Sequence, residues 1–291
     1  MALFLDIAQD SINKKNEELC GDNVEIRQND ESTTLLLADG LGSGVKANIL
    51  ATMTSTIAAT MLEDKLSITD VVETLEATLP ECQIRKLAYS TFTIVQIFKQ
   101  TREVYIVEFD NPPLVYIRDG EILELPRKPL RFKGKDIFET SLKIEEGDII
   151  GFFSDGVIHA GVGNLIDFGW QWEEAADYFL ARAYDETMMT SKDISMKMID
   201  ICNDLYDGQP GDDTTCVVVR AEEHRYVTLF SGPPLDRTKD SMIKEIFDEA
   251  KGKKVVCGGT ASNIVSREYG EEINIDLSTM SQEVPPVGSM P

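Results

Sequence analysis

Histidine is almost missing from this chain. His159 and His224 are all that its 291 residues provide, so a Ser-His-Asp triad or a multi-histidine metal site is excluded. Cysteine is sparse as well. Cys20, Cys82, Cys202, Cys216 and Cys257 are scattered, odd in number and never spaced Cys-x-x-Cys. That pattern fits reduced thiols and rules out a recognisable zinc ribbon. Positive charge is in short supply, with 28 Lys and Arg against 51 Asp and Glu and a formal net charge of -23. With no basic patch to hold a phosphate backbone, nucleic acid is not an expected partner. No run of about 18 apolar residues exists, and Met1–Leu5 is too short for the core of a signal peptide. No membrane association is therefore expected, and the expected location is cytoplasmic.

The chemistry is left to carboxylates, and four aspartate corners carry it. Asp22 stands in Cys-Gly-Asp-Asn, Asp39 in Ala-Asp-Gly-Leu-Gly-Ser-Gly, Asp155 in Phe-Ser-Asp-Gly and Asp212 in Pro-Gly-Asp-Asp-Thr-Thr. Each lies where a strand-like run meets a turn. A hard divalent cation such as Mg2+ or Mn2+ takes oxygen ligands of this kind, with a neighbouring glycine exposing a backbone carbonyl, as Gly40 does. Each corner alone has a plainer reading. An Asp-Gly pair forms turns and caps helices, and a glycine loop before a helix can cradle phosphate. Asp39 at the entrance would repel a phosphate, however, and no Gly-Lys-Ser/Thr follows. Asp213 beside Asp212 is costly unless the pair is solvated or neutralised by a cation. Taken together, the four corners point to one shared metal site.

The elements alternate around these corners. Strands are expected around Val24–Ile26 and Thr34–Leu37, followed by a helix with Val45, Ile49, Met53, Ile57 and Met61 at helical spacing and small residues between. A second helix opens at Ser67 and closes at Leu79–Pro80. Strands then follow over Thr91–Phe98, Val104–Phe109, Leu114–Ile117 and Ile122–Leu125, and an all-apolar one over Asp148–Ser154. Helical spacing returns from about 170 to 206 before a last strand, Thr215–Arg220. This order predicts an α+β fold, a central antiparallel β-sandwich flanked by helices. Residues 1–221 form the expected main domain. Residues 222–291 read as a small C-terminal βαβ-like appendage with a regulatory or dimerisation role, which makes a homodimer an expected assembly. The tail Pro285–Pro291 breaks off in turn-forming residues, as a truncated or disordered end would.

At this point the motifs resemble those of the bacterial metal-dependent protein phosphatases, in the sporulation-protein-E-type branch of the phosphatase 2C superfamily. The resemblance covers roughly residues 4–221, and Phe109–Tyr116 is similar to that branch's Asn/Pro-rich turn. It implies two Mn2+ or Mg2+ ions at one end of the sandwich. Asp39 would bridge both ions, Gly40 would lend its carbonyl to one, and Asp155 and Asp212 would hold the other. Asp22 would orient metal-bound water, and Asp213 occupies a place where relatives vary. An activated water would then attack the phosphorus of a phosphoserine or phosphothreonine. The implied partner is a phosphorylated protein, such as an anti-sigma-factor antagonist. In this branch the helix pair after the glycine motif can also switch, and the small residues of 45–60 suit that. The chain departs from the pattern at Ile158-His159-Ala160, where relatives carry an acidic residue. His159 is either a general acid or a plain surface histidine. Arg27 is the nearest arginine to the first motif, without an assignable role. A catalytically silent module that keeps the fold to bind a partner is the alternative function.

Overall fold

The computed structural model describes residues 3–78, 90–132, 135–163, 165–184, 189–280 and 286–290. The expected helix stop at Leu79–Pro80, and Cys82, lie outside them. The chain divides into two compact units, Met1–Glu223 and His224–Pro291.

The first unit contains two antiparallel sheets. One is built from β1 (Leu3–Ile12), β11 (Thr214–Glu223), β10 (Ile149–Phe153), β6 (Val115–Arg118) and β7 (Glu121–Ile122), in that spatial order. The other runs β2 (Asp22–Gln28), β3 (Ser32–Gly40), β4 (Ser90–Phe98), β5 (Glu103–Phe109), β9 (Lys135–Lys143) and β8 (Lys128–Phe132). Because strand side chains alternate, a central strand packed on both faces must be apolar throughout. β3 shows this. Leu35 and Leu37 face the inter-sheet core with Tyr116, Ile150, Phe152, Val217 and Val219. Leu36 and Ala38 point the other way, under α1 (Gly44–Glu63) and α2 (Ile68–Thr78). On the outer face of the first sheet, Phe153, Cys216 and Val218 pack against α4 (Trp172–Ala183) and α5 (Ser191–Leu205). The result is the expected sandwich, helices outside and two sheets within.

Three details differ from the sequence reading. In α1, Val45, Ile49 and Met53 are exposed, and the helix buries Gly44, Ala47, Ala51, Thr54, Ser55, Ala58, Ala59 and Leu62 instead. The reason is proximity. A Cβ on Gly40 would stand 2.1 Å from the Ala47 carbonyl oxygen, so helix and strand touch through backbone and admit only small residues between them. β1, β8 and β9 went unread because they are half-polar. Asp6 and Asp10 of β1 are engaged by Ser191 and Ser195 of α5. The hairpin between β6 and β7 was expected and is shorter than read. Its two-residue turn, Asp119-Gly120, takes φ 52 and 80, the doubly left-handed turn that suits strand twist.

In the second unit, β12 (Val227–Ser231) and β13 (Lys253–Cys257) pair in parallel across α6 (Met242–Glu249), a βαβ unit followed by α7 (Gly259–Tyr269). Phe230 and Val256 pack under Ile243, Phe247, Ile264 and Val265, while Val227, Leu229 and Val255 are exposed. A short antiparallel pair, β14 (Asn274–Asp276) and β15 (Val287–Ser289), completes this unit.

Candidate metal centre

All four corners lie at one end of the sandwich. In the second sheet, Asp22 opens β2 directly opposite Asp39 near the end of β3, and Asp39 in turn faces Thr91 on β4. Two carboxylates in one cross-strand pair repel each other unless something neutralises them. In the first sheet, β10 runs through Ser154 into Asp155, the first residue of the one-turn helix α3 (Asp155–Ile158). Beside it Asp212 and Asp213 lead into β11. The two chain segments are stitched by Ser154 N–H donating to Thr215 O (3.1 Å) and Thr215 N–H donating to Ser154 Oγ (2.9 Å). Glycine at each corner admits the neighbouring corner. A Cβ on Gly156 would stand 2.1 Å from the Asp213 carbonyl oxygen, and one on Gly21 2.7 Å from Asp213 Oδ2. Gly42 and Gly44, with φ 105 and 66, turn the chain out of β3 into α1.

The electrostatics record the crowding. Asp22 is buried, and desolvation pushes its carboxyl up to about 7, with Asp213 and Asp155 adding to the rise. The Ser154 and Thr215 hydroxyls lie near enough to offset part of this, yet neither donates to the carboxylate, and both Asp22 oxygens are left without a hydrogen-bond partner. Asp39 is raised to about 9, by burial first and then by Asp22, Asp155 and Asp212. Asp155 is raised by burial and by Asp212, and His159 works against the rise. Asp213 accepts from Lys14 N–H at 3.0 Å through one oxygen, while its Oδ2 is buried and unpartnered. Among the described residues no three carboxylate, imidazole or thiolate groups close tightly enough to enclose an ion as they stand. The donor set nonetheless fits a hard divalent cation, since buried carboxylate oxygens with no protein donor are costly and are the ligands such an ion takes.

The structure thus brings Asp22, Asp39, Asp155, Asp212 and Asp213 together. Arg27 is committed elsewhere, paired with Glu25 (2.6 Å) and Glu63 (3.8 Å). His159 ends α3 with its ring exposed. Asn111, in the turn singled out at Phe109–Tyr116, accepts from Thr91 Oγ1 and donates to Thr93 Oγ1 (3.2 Å), which ties that turn to the strand beside Asp39. Cys20, next to this site, is no nucleophile. Burial and Asp22 push its thiol up to about 12, so the reactive thiolate is absent at neutral pH.

Sequence reasoning missed the loop 13–21, which straps the site. Lys15 N–H donates to Pro210 O (2.8 Å), and Asn48 Nδ2 donates to Cys20 O (2.8 Å). Ser43 Oγ donates to Glu17 (3.0 Å), which sets that carboxylate against the start of α1, where the helix dipole favours it. Lys14 reaches Asp212 Oδ1 at 3.4 Å. Lys14-Lys15 shortly before Cys-Gly-Asp was the available signal, a basic pair in an acidic chain.

No curated protein sequence matches the chain. Among solved structures, the PP2C phosphatase domain with a regulatory-domain fragment of the Bacillus subtilis cell fate determinant SpoIIE aligns with a TM-score of 0.62 at 18% identity, covering 77% of this chain. This chain spans 65% of the length of that relative. The S. agalactiae serine/threonine phosphatase aligns at a TM-score of 0.53 and 17% identity, over 75% of this chain and 100% of that one. RsbX in complex with magnesium gives 0.52 and 17%, over 76% and 100%. The stage II sporulation protein E (SpoIIE) family matches residues 29–222, a span that takes in Asp39, Asp155, Asp212 and Asp213 and begins just after Asp22. With two thirds of its length inside that match, the chain belongs to the SpoIIE family and has the PP2C-type phosphatase fold.

Proposed function

We propose that this chain is a divalent-metal-dependent phosphatase acting on phosphoserine or phosphothreonine in a protein. The observation that carries the reading is the convergence of five carboxylates from four strand ends, with Asp22 buried and both its oxygens unpartnered. Asp39, the Gly40 carbonyl, Asp155, Asp212 and Asp213 would hold two Mn2+ or Mg2+ ions. Those ions, when bound, neutralise phosphate oxygens and lower the pKa of water. Asp22 accepts hydrogen bonds from water through its free oxygens and orients the nucleophile. Ser154 and Thr215 fix the two corner segments side by side, and Asn111 holds the neighbouring turn against β4, so the carboxylates face a pre-shaped site. Cys20 stays protonated, which leaves no thiolate to form a covalent intermediate.

By family, the substrate is a phosphorylated signalling protein such as an anti-sigma-factor antagonist. A cytoplasmic setting belongs to the same reading; among the described residues no helix is long and apolar enough to cross a membrane. The unit His224–Pro291 is proposed as a regulatory or dimerisation element. Its exposed Val227, Leu229 and Val255 leave one sheet face uncovered, whereas parallel sheets are ordinarily covered on both.

The test is phosphate release from a phosphoserine peptide, with and without Mn2+, by wild type and by Asp39→Asn and Asp155→Asn. Mn2+-dependent turnover that both variants lose is the expected result. A folded wild type that binds Mn2+ and turns nothing over would make the chain a binding module instead.

A further inference from the structure

Large apolar side chains stand in water beside the metal corner. The one-turn helix α3 begins at Asp155, and the segment that leaves it exposes Val162, Leu165 and Phe168, with 50%, 64% and 80% of their surfaces accessible. Between Ala160 and Trp170 the only charge is Asp167, in a chain with 51 acidic residues. The three side chains are neighbours. Val162 pairs with Ile166, next to Leu165, and a Cβ on Gly169, next to Phe168, would stand 2.8 Å from Val162 Cγ2. A cluster of this kind on a folded surface marks a place where another molecule docks.

The exposure is built in. Gln171 N–H donates to Ile158 O (2.9 Å) and Val162 N–H to His159 O (3.1 Å), so the segment leaves and rejoins the end of α3. The Gln171 side-chain amide donates to the Phe168 carbonyl, and Trp172 Nε1 donates to Pro113 O (2.6 Å), in the turn that Asn111 ties to β4. A fixed frame therefore presents the apolar tips. Distance decides what meets them. His159 N–H bonds Asp155 O in the helical manner, which puts the two residues about 6 Å apart along the axis. A Cβ on Gly169 would stand 3.0 Å from His159 Cα. Phe168, one residue away, thus lies within about 15 Å of Asp155. A standard protein–protein contact covers about 800 Å² on each partner, a disc of roughly 16 Å radius. Because a phosphoserine side chain is short, a protein that delivers one to the metal corner must lay its own surface over this segment.

We propose that Val162, Leu165 and Phe168 form the docking surface for the phosphoprotein substrate and select a phosphorylated residue flanked by apolar side chains. This rests on the metal-dependent phosphatase reading and adds a specificity element to it. The metals recognise the phosphate, which every phosphoprotein carries alike. The apolar segment recognises what lies beside it, and specificity is the difference in affinity that results.

The experiment compares two phosphoserine peptides on the full Mn2+-loaded chain, one with leucines on either side of the phosphoserine and one with serines. The readout is the ratio of their kcat/KM values for wild type, Leu165→Ser, Phe168→Ser, Phe168→Leu and Leu66→Ser. Wild type is expected to prefer the leucine-flanked peptide about tenfold, the burial of one apolar side chain, with the preference carried in KM. Leu165→Ser and Phe168→Ser should each lower the ratio at least about threefold, through loss of part of that burial. Phe168→Leu keeps it, and so does Leu66→Ser, which removes an exposed leucine just beyond the C-terminal end of α1. A wild type without preference would overturn the assignment, and so would a preference that survives both serine variants. Equal losses on the two peptides would also overturn it, as the mark of a disturbed metal corner. Self-association of wild type that Phe168→Ser abolishes, with no peptide preference, would give the surface to a second copy of the chain. No Mn2+-dependent turnover of either peptide would instead remove the phosphatase reading, and this one with it.

Discussion

Replacing Asp39 by Asn should stabilise the metal-free protein and destabilise its response to metal. In the folded chain the Asp39 carboxyl is raised from 3.8 to about 9 by burial and by Asp22, Asp155 and Asp212. A raised carboxyl makes the native state bind a proton that the unfolded chain has already released. Its contribution to stability is therefore intact below about pH 4 and drains away as pH rises toward 9, at about 1.4 kcal/mol per unit. At about pH 7.5 this ceiling is roughly 5 kcal/mol. Asp39 is partly exposed, so water and side-chain relaxation reduce it. Asparagine keeps the shape and puts a neutral amide where Asp22, Asp155 and Asp212 repel a carboxylate. The expected gain is about 2 kcal/mol, or roughly 4–8 °C in Tm for a domain of this size. Urea unfolding in EDTA at a series of pH values reads it directly. Asp39→Asn should have the higher midpoint and the shallower fall with pH, and adding Mn2+ should lift wild type past it. A variant less stable than wild type in EDTA, or pH slopes that coincide, would refute the picture of mutually repelling carboxylates.

Two further outcomes follow from the same geometry. Gly40→Ala forces a methyl to within 2.1 Å of the Ala47 carbonyl oxygen, so α1 must back away; a loss of more than about 1 kcal/mol and weakened Mn2+ binding are expected by denaturation and titration. Ala51→Leu enlarges a fully buried contact of α1 and should cost about 1–3 kcal/mol, again with weaker Mn2+ binding. Unchanged metal affinity in a folded Ala51→Leu would show that the seating of α1 does not govern the Asp39–Gly40 corner.

The corners were legible because their chemistry is local. A buried apolar run such as Ile149–Phe153, ended by Ser154-Asp155-Gly156, announces both the strand and the exposed carboxylate at its tip. The alternation that hides polar residues was harder to see. β1 carries Asp6 and Asp10, which look solvent-facing until Ser191 and Ser195 of α5, far along the chain, turn out to be their partners. The α1 face was misread because hydrophobic size usually marks the buried side. Here backbone contact at Gly40 reserves that side for alanine and serine, and Val45 and Ile49 are left outside. Lys14 was announced only by the basic pair Lys14-Lys15, and its place at the site comes from Asp212, far away in sequence and 3.4 Å away in space.

Gly21, Gly40 and Gly156 have one more consequence. None of the three has a left-handed φ; each is glycine because another corner, or α1, occupies the volume of its Cβ. Packing imposes the glycines, whereas burial of Asp22, Asp39 and Asp155 costs the metal-free fold stability. A lineage descended from this chain that abandoned catalysis would be free to drift at the aspartates and gain stability in doing so, but it would still need the glycines to close the sandwich. Glycines without their acids would then be the fossil of a lost enzyme.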